Sequence, residues 1–399
     1  MVYMEKLKLT ANILFSGIGC QERGLENSGV VDLDVLAVSE IDKEAVCGYA
    51  AVHKGLTQEM VNSYSFFPDE EEMIKELTDK NIGFNPEKGK AYNWNRNRKD
   101  KEYEIRKHWL ANRLCHNLGD ISRIEVLPMA DFWSCSFPCT DISCAGKGKG
   151  LEESSGTRSS LVWQAMRLLE RAVQDGTQPE YILFENVKDL IGKFKQDFEK
   201  ILAALRRFGY KTYWNVINAK NCGIPQTRER VFIVCIREET ELGRYTFPVP
   251  FECSMKVGDI LSPGSDISHP IHDKRLVMLL DTLSGSSESS GMVVPLVQDI
   301  PVNEKTKKKH YSAQRLTPAQ CFQLMGLTPE DADKCRGLGI ANGQLCRQAG
   351  NGIVANCVQL LGEHLYKLVK DPSFVCTDER MNGKTAVPKT YNHLYMETP

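Results

Sequence analysis

The chain has 399 residues, of which 42% are apolar and 26% charged, with a formal net charge of −2 and 14 cysteines. This length supports a sizeable core divided into two or three domains, and the composition is that of a globular protein without the ~18-residue apolar run that a membrane helix needs. A total charge this close to zero neither requires nor excludes a polyanionic partner, which responds to local charge.

The N-terminus passes from Lys6 and Lys8 straight into Ile13-Leu14-Phe15 without the apolar core and cleavage site of an export signal. The cysteines show no disulfide-framework spacing, and several lie in apolar segments such as Val234-Cys235-Ile236. A reducing, cytoplasmic setting is therefore expected. Cys135, Cys139 and Cys144 lack a second Cys or His cluster at zinc spacing, so no metal is expected.

In chain order, an apolar strand around Asn12 to Phe15 meets Gly17 and Gly19, and a helix opens from Gln21 to Leu25. A second strand, Asp34 to Ser39, ends at Glu40, after which Asp42 caps a helix to about His53. Residues 62–114 are polar and interrupted by Pro68, Gly83, Pro86 and Gly89, which reads as a peripheral insertion. Strand–helix alternation resumes with a strand at Asp131 to Ser134, a helix at Ser160 to Val173 and a strand at Tyr181 to Phe184. An amphipathic helix on Phe198, Ile201, Leu202, Leu205 and Phe208 stops at Gly209, and strands follow at Thr212 to Ile217 and Arg230 to Ile236. The pattern predicts one mostly parallel sheet.

Residues 240–311 are broken by Pro248, Pro250, Pro263, Gly264 and Pro270 and predict a smaller, less helical unit. Thr317-Pro318 with Gln320 is a capping-box start, and Val354, Val358, Leu361, Leu365 and Leu368 mark a last amphipathic helix. The expected division is 1–239 for the large domain, 240–345 for the small one with its helix at 315–326, 346–371 for a helix returning to the large domain, and 372–399 for a polar tail. Two basic stretches stand out. Residues 87–113 carry nine Lys or Arg against four acidic residues with interleaved aromatics, and Lys305 to Arg315 adds a second cluster. Each suits phosphate contact and equally suits a solvated face.

Several segments carry chemistry. Phe15-Ser16-Gly17-Ile18-Gly19 after a strand allows a ligand close to the backbone, and Glu40 at the next strand's end can accept from ribose hydroxyls. A nicotinamide or flavin nucleotide would read similarly, although the third glycine of that fingerprint is missing. Phe137-Pro138-Cys139 follows a strand terminus, where a cysteine is either an apolar filler or a reactive thiol. Glu185 lies just beyond an apolar strand, where a carboxylate needs a partner or a shifted proton affinity. In Gln226-Thr227-Arg228-Glu229-Arg230, an extended backbone puts Gln226, Arg228 and Arg230 on one face.

Taken together with Arg315-Leu316-Thr317-Pro318 and Gly350-Asn351-Gly352-Ile353-Val354, these segments closely resemble, in order, the motifs of the DNA cytosine-5 methyltransferase family, from Leu14 to about Leu361. The resemblance implies a Rossmann-like S-adenosylmethionine-dependent fold with a smaller target recognition domain. It assigns cofactor contacts to Phe15, Gly17, Gly19, Glu40, Asp120, Ile121, Pro138 and Asn351. It makes Cys139 the nucleophile, with Glu185 and Arg230 on the target cytosine and Arg228 in support. Ile13, Cys20, Thr140, Ser159 and Gly352 depart from the family's usual residues, and none of them removes a reacting group. The implied partner is double-stranded DNA, with the enzyme a monomer acting either alone or beside a restriction endonuclease. The alternatives are transfer RNA as substrate, a catalytically silent DNA-binding scaffold, and an NAD-linked oxidoreductase.

Overall fold

The structure, a computed structural model, describes residues 5–139, 142, 151, 157–240, 245–251, 253–255, 257–260, 293–296 and 312–371. Its centre is a sheet of six strands: β1 (Leu7–Leu14), β2 (Val31–Ser39), β3 (Phe132–Cys135), β4 (Tyr181–Val187), β5 (Tyr210–Asn218) and β6 (Glu229–Arg237), in the order β2-β1-β3-β4-β6-β5. The first four pair in parallel, while β6 lies antiparallel between β4 and β5. Every residue of β4 is buried, as expected of a strand covered on both faces, which is why it reads as a continuous apolar run.

Alternate residues feed two cores. Tyr181, Leu183, Phe232, Val234 and Ile236 face one, while Ile182, Phe184, Val231, Ile233 and Cys235 face the other. The second is closed by α6 (Val162–Asp175) and α7 (Lys195–Arg207), the former ending at left-handed Gly176 as its sequence suggests. The first is closed by α1 (Cys20–Asn27) and α2 (Lys43–His53), the latter capped by Asp42, which accepts from Glu44 N and Ala45 N.

Residues 62–114 differ from the irregular periphery expected of them. About half of them lie in helices, at the end of α3 (Gln58–Ser63) and in α4 (Glu70–Asp79) and α5 (Lys101–Leu114). The pattern was hidden because α4 buries only Met73 and Leu77 beneath an acidic surface, and because α5 buries polar groups alongside apolar ones. His108 is wholly buried, with Nδ1 3.0 Å from Cys47 Sγ and Nε2 3.3 Å from Glu104 Oε2; Lys107 Nζ donates to Glu104 Oε1 at 2.7 Å. Paired in this way, polar side chains can enter a core.

Helices on both sides of the expected boundary at 345 pack into one core. After a short α8 (Val257–Ile260) and a hairpin of β7 (Val293–Leu296) with β8 (Ser312–Arg315), the chain forms α9 (Pro318–Gln323), α10 (Pro329–Gly337), α11 (Asn342–Asn351) and α12 (Ala355–Lys370). Phe322, Met325, Cys335 and Leu345 already belong to the core that holds Leu9, Val46 and Tyr49. Arg23 on α1 pairs with Asp331 on α10 at 3.2 Å. The capping box at Thr317 and Gln320 is formed as expected. Most of 261–311, including Lys305 to Lys309, and the tail from 372 lie outside the described residues.

Burial, with Lys43 and Lys107 nearby, pulls the His108 imidazole from its ordinary 6.5 down to about 4 despite its contact with Glu104. Between those values the unfolded chain binds a proton that the folded chain refuses, so this contribution to stability is intact above 6.5 and is lost as the pH falls toward 4. Urea unfolding across this window should show stability declining with acidification, and His108→Asn should flatten the decline.

Candidate active site

From β1 the chain runs to β2 on one side and, later, to β3 on the other, so the loops leaving the carboxyl ends of β1 and β3 diverge and leave a crevice. The first loop bends sharply. Phe15 has φ 58°, Gly17 54° and Gly19 83°, and the space beside Gly17 is open where a side chain would stand. Its Gly17 N donates to Glu40 Oε2 at 3.0 Å, while Glu40 Oε1 accepts from Ile41 N and Asp42 N, each at 2.8 Å. Burial, and then the neighbouring Asp42, raises the proton affinity of Glu40, and the backbone donors oppose that rise. Ser16 Oγ is buried without a partner, a polar atom left over for a ligand.

Asp120, reached through Gly119, lies along the same edge: Ser39 Oγ donates to Gly119 O at 2.7 Å, and Asn117 Oδ1 accepts from both Glu40 N and Gly119 N. Gln21 Nε2 on α1 donates to Ser136 Oγ at 3.0 Å, joining the glycine turn to the loop that carries Pro138 and Cys139. That loop is fixed further by Asn186 Nδ2 donating to Phe137 O at 2.9 Å and Ser159 Oγ donating to Pro138 O at 2.8 Å.

The reactive groups converge because β6 runs antiparallel to β4. Glu185 stands opposite Phe232 and Val187 opposite Arg230, so Glu185 and Arg230 are diagonal neighbours on one face at the carboxyl end of β4. Their side chains meet with Arg230 Nε 3.3 Å from Glu185 Oε1, both largely buried. Burial raises the Glu185 carboxyl's proton affinity, and Arg230 and Arg228 hold it down. Cys139 is partly exposed, and the same groups act on its thiol: burial and then Glu185 push its pKa up, while Arg230 and Arg228 pull it down. Arg228 Nη2 donates to Gly350 O at 3.0 Å and Gly352 O at 2.7 Å. Burial and Arg230 lower its pKa to about 10, so it stays cationic at neutral pH.

Phe15, Gly17, Gly19, Glu40, Asp120 and Pro138 thus lie along the crevice edge, and Cys139, Glu185, Arg228 and Arg230 share one electrostatic neighbourhood. Ile121 follows Asp120 with its side chain 3% exposed and packed in the core. Asn351 is exposed, between the two carbonyls that Arg228 holds. Thr140, Asp141 and Cys144 lie outside the described residues. Sequence reading missed Ser16, Gln21, Asn81 and Asn117. Gln21, Asn81 and Asn117 bond through tertiary contacts that no local pattern signals, and Ser16 Oγ is buried without a partner. If the field at Cys139 is as described, its alkylation midpoint, followed by peptide mass spectrometry across pH, should move down in Glu185→Gln and up in Arg230→Ala.

Residues 81–277 match the family model described as C-5 cytosine-specific DNA methylase. The chain is 32% identical over 368 residues to the Type II methyltransferase M2.ScrFI of Lactococcus lactis subsp. cremoris, covering 88% of this chain and 98% of that one. It is 26% identical over 280 residues to the Type II methyltransferase M.HhaI of Haemophilus parahaemolyticus, covering 62% of this chain and 80% of that one. Among solved structures, the Entamoeba histolytica methyltransferase EhMeth superposes with a TM-score of 0.53 at 15% identity, over 92% of this chain and 100% of its own. The S. pombe Dnmt2 methyltransferase gives 0.53 at 14% identity over the same shares, and both likenesses establish the fold. On this relationship the chain belongs to the C-5 cytosine-specific DNA methylases, S-adenosylmethionine-dependent enzymes that methylate cytosine.

Proposed function

We propose that the chain methylates carbon 5 of a cytosine turned out of duplex DNA, through a transient bond between Cys139 and carbon 6. The observation that carries this reading is the Glu185–Arg230 pair at 3.3 Å with its field extending to the Cys139 thiol. Carbon 5 of an aromatic cytosine is too weak a nucleophile to take a methyl group. A thiolate bonding to carbon 6 breaks the ring's conjugation and leaves carbon 5 electron-rich, and sulfur departs again readily by elimination.

Each side chain then has a task. Arg228 and Arg230 counter the burial that keeps Cys139 protonated and so favour its thiolate. Glu185, whose burial favours the protonated form, gives its proton to ring nitrogen 3 as electrons move out of the carbon 6 bond. Arg230 donates to oxygen 2, where negative charge also gathers. S-adenosylmethionine, when bound, supplies the electrophilic methyl group. The carbon 5 proton finally leaves to solvent, its bonding pair re-forms the ring double bond as the carbon–sulfur bond breaks, and nitrogen 3 returns its proton to Glu185.

The crevice fits the cofactor. Glu40 is set to accept from ribose hydroxyls, the turn leaves open space beside Gly17 for the methionine portion, Ser16 Oγ is unsatisfied, and Asp120 offers a carboxylate for the adenine amino group. Pro138 and Asn351 approach from the nucleophile loop and from the end of α11. The target base must leave the stack because neither thiol nor carboxylate can reach carbon 6 and nitrogen 3 inside a duplex. We assign sequence reading to residues 240–311 and phosphate anchoring to Lys305 to Lys309. The relatives' names as type II methyltransferases support a setting beside a restriction endonuclease, a functional partner of a monomeric enzyme.

Cys139→Ser should abolish turnover and the stable adduct with duplex DNA containing 5-fluorocytosine, and Glu185→Gln should lower the rate by about 10² to 10⁴. Labelled methyl donor should mark duplex DNA. Label in transfer RNA alone, or full activity in Cys139→Ser, would overturn the reading.

A further inference from the structure

The end of α4 is knitted into both acidic groups of the cofactor crevice. Asn81, 8% exposed, donates from Nδ2 to Asp120 Oδ2 at 2.7 Å. One residue earlier, Lys80 O accepts from Asp120 N at 3.0 Å, and it lies so near Gly119 that a side chain there would come within 2.2 Å of it. Two residues later, Gly83 N donates to Ile41 O at 2.7 Å, directly beside Glu40. Arg123 Nη1 closes the arrangement by donating to Thr78 O and Asp79 O. The segment 78–83 therefore clamps the loops that carry Glu40 and Asp120 from the outer side.

The hydrogen bonds on Asp120 determine what its carboxylate can still do. Oδ1 accepts from Ser122 N at 3.0 Å and from Ser122 Oγ at 2.7 Å, which fills its in-plane lone pairs. Among the described residues Oδ2 accepts from Asn81 alone, so one acceptor position remains on that oxygen. All three of these contacts, two from Ser122 and one from Asn81, are donated to the carboxylate, so it is kept as a pure acceptor in a fixed plane. An acceptor-only site pairs with an amino group and leaves a ring carbonyl unpaired, a mismatch that costs more than the bond itself is worth.

We propose that Asn81 is a positioning residue for cofactor selection: its amide orients Asp120 so that the single free acceptor position on Oδ2 reads the 6-amino group of adenine. This rests on the assignment of Asp120 to the adenine under Proposed function. It gives residues 62–114 a role, as the element that brings this amide to the crevice.

The test compares binding of S-adenosylhomocysteine with its 6-oxo counterpart, S-inosylhomocysteine, by calorimetry on the full chain. Asn81 has φ 58°, a left-handed conformation that glycine adopts freely, so Asn81→Gly removes the amide without straining the backbone. The unaltered protein should prefer the amino ligand, and Asn81→Gly should reduce that preference on the order of 10-fold, matching the loss of one hydrogen bond to a charged group. Asn81→Asp, which keeps the shape and replaces the donor by an acceptor, should reduce it at least as far. A structural role alone would weaken both ligands equally and leave their ratio unchanged. Asp120→Ala separates the two ideas. If it removes the preference while Asn81→Gly preserves it, the role of Asn81 is overturned. If Asp120→Ala also preserves the preference, the assignment of Asp120 to adenine fails and the inference falls with it.

Discussion

The site depends on one buried ion pair, Glu185 with Arg230, and on the strand direction that makes it possible. A parallel neighbour of β4 would deliver its carboxyl end to the crevice, and the run Gln226 to Arg230, which leads into the start of β6, would lie at the opposite edge of the sheet. Because β6 follows β5 through a short connection and returns antiparallel, its amino end lies beside the carboxyl end of β4. Register then does the rest, since a shift by one residue would turn Arg230 to the other face of the sheet. Removing either charge would strand the other in a largely buried place, a defect typically costing roughly 3–5 kcal/mol. The pair therefore serves the architecture as well as the chemistry.

Around this pair the structure gathers groups that are remote along the chain. Arg228 carries the field of β6 to the far end of the sequence by holding the carbonyls of Gly350 and Gly352. The helix that follows, α12, shares a core with α1, so the glycine turn near the start of the chain and the segment around Asn351 belong to one packed unit. Arg23 with Asp331, and the thiol of Cys335 donating to Gly48 O, extend the same joint to α10. From α9 onward the described carboxyl-terminal helices thus pack into the same core as α1 and α2.

Much of this was legible in the sequence, for reasons that differ by element. β4 was recognisable because a strand buried on both faces has an apolar run, and α2 because Asp42 announces a cap that the structure forms. The ends of α6 and the start of α9 were fixed by Gly176 and by Thr317 with Gln320, which act through their own backbones. The helices within 58–114 were missed where local pattern and burial part company. His108 and Lys107 are buried because Glu104 and Cys47 come to meet them, and nothing in the neighbouring residues foretells that meeting.

The sequence by itself determined the kinds of group available, their order and the elements on which they sit, because composition, periodicity and capping act over a few residues. It also carried enough ordered motif to identify the family. Only the tertiary structure decided that Glu185 meets Arg230, that Asn81 holds Asp120, and that Arg228 closes on Gly350 and Gly352. Each of these contacts joins segments 39 to 124 residues apart, so it exists only once the strand order and register are set.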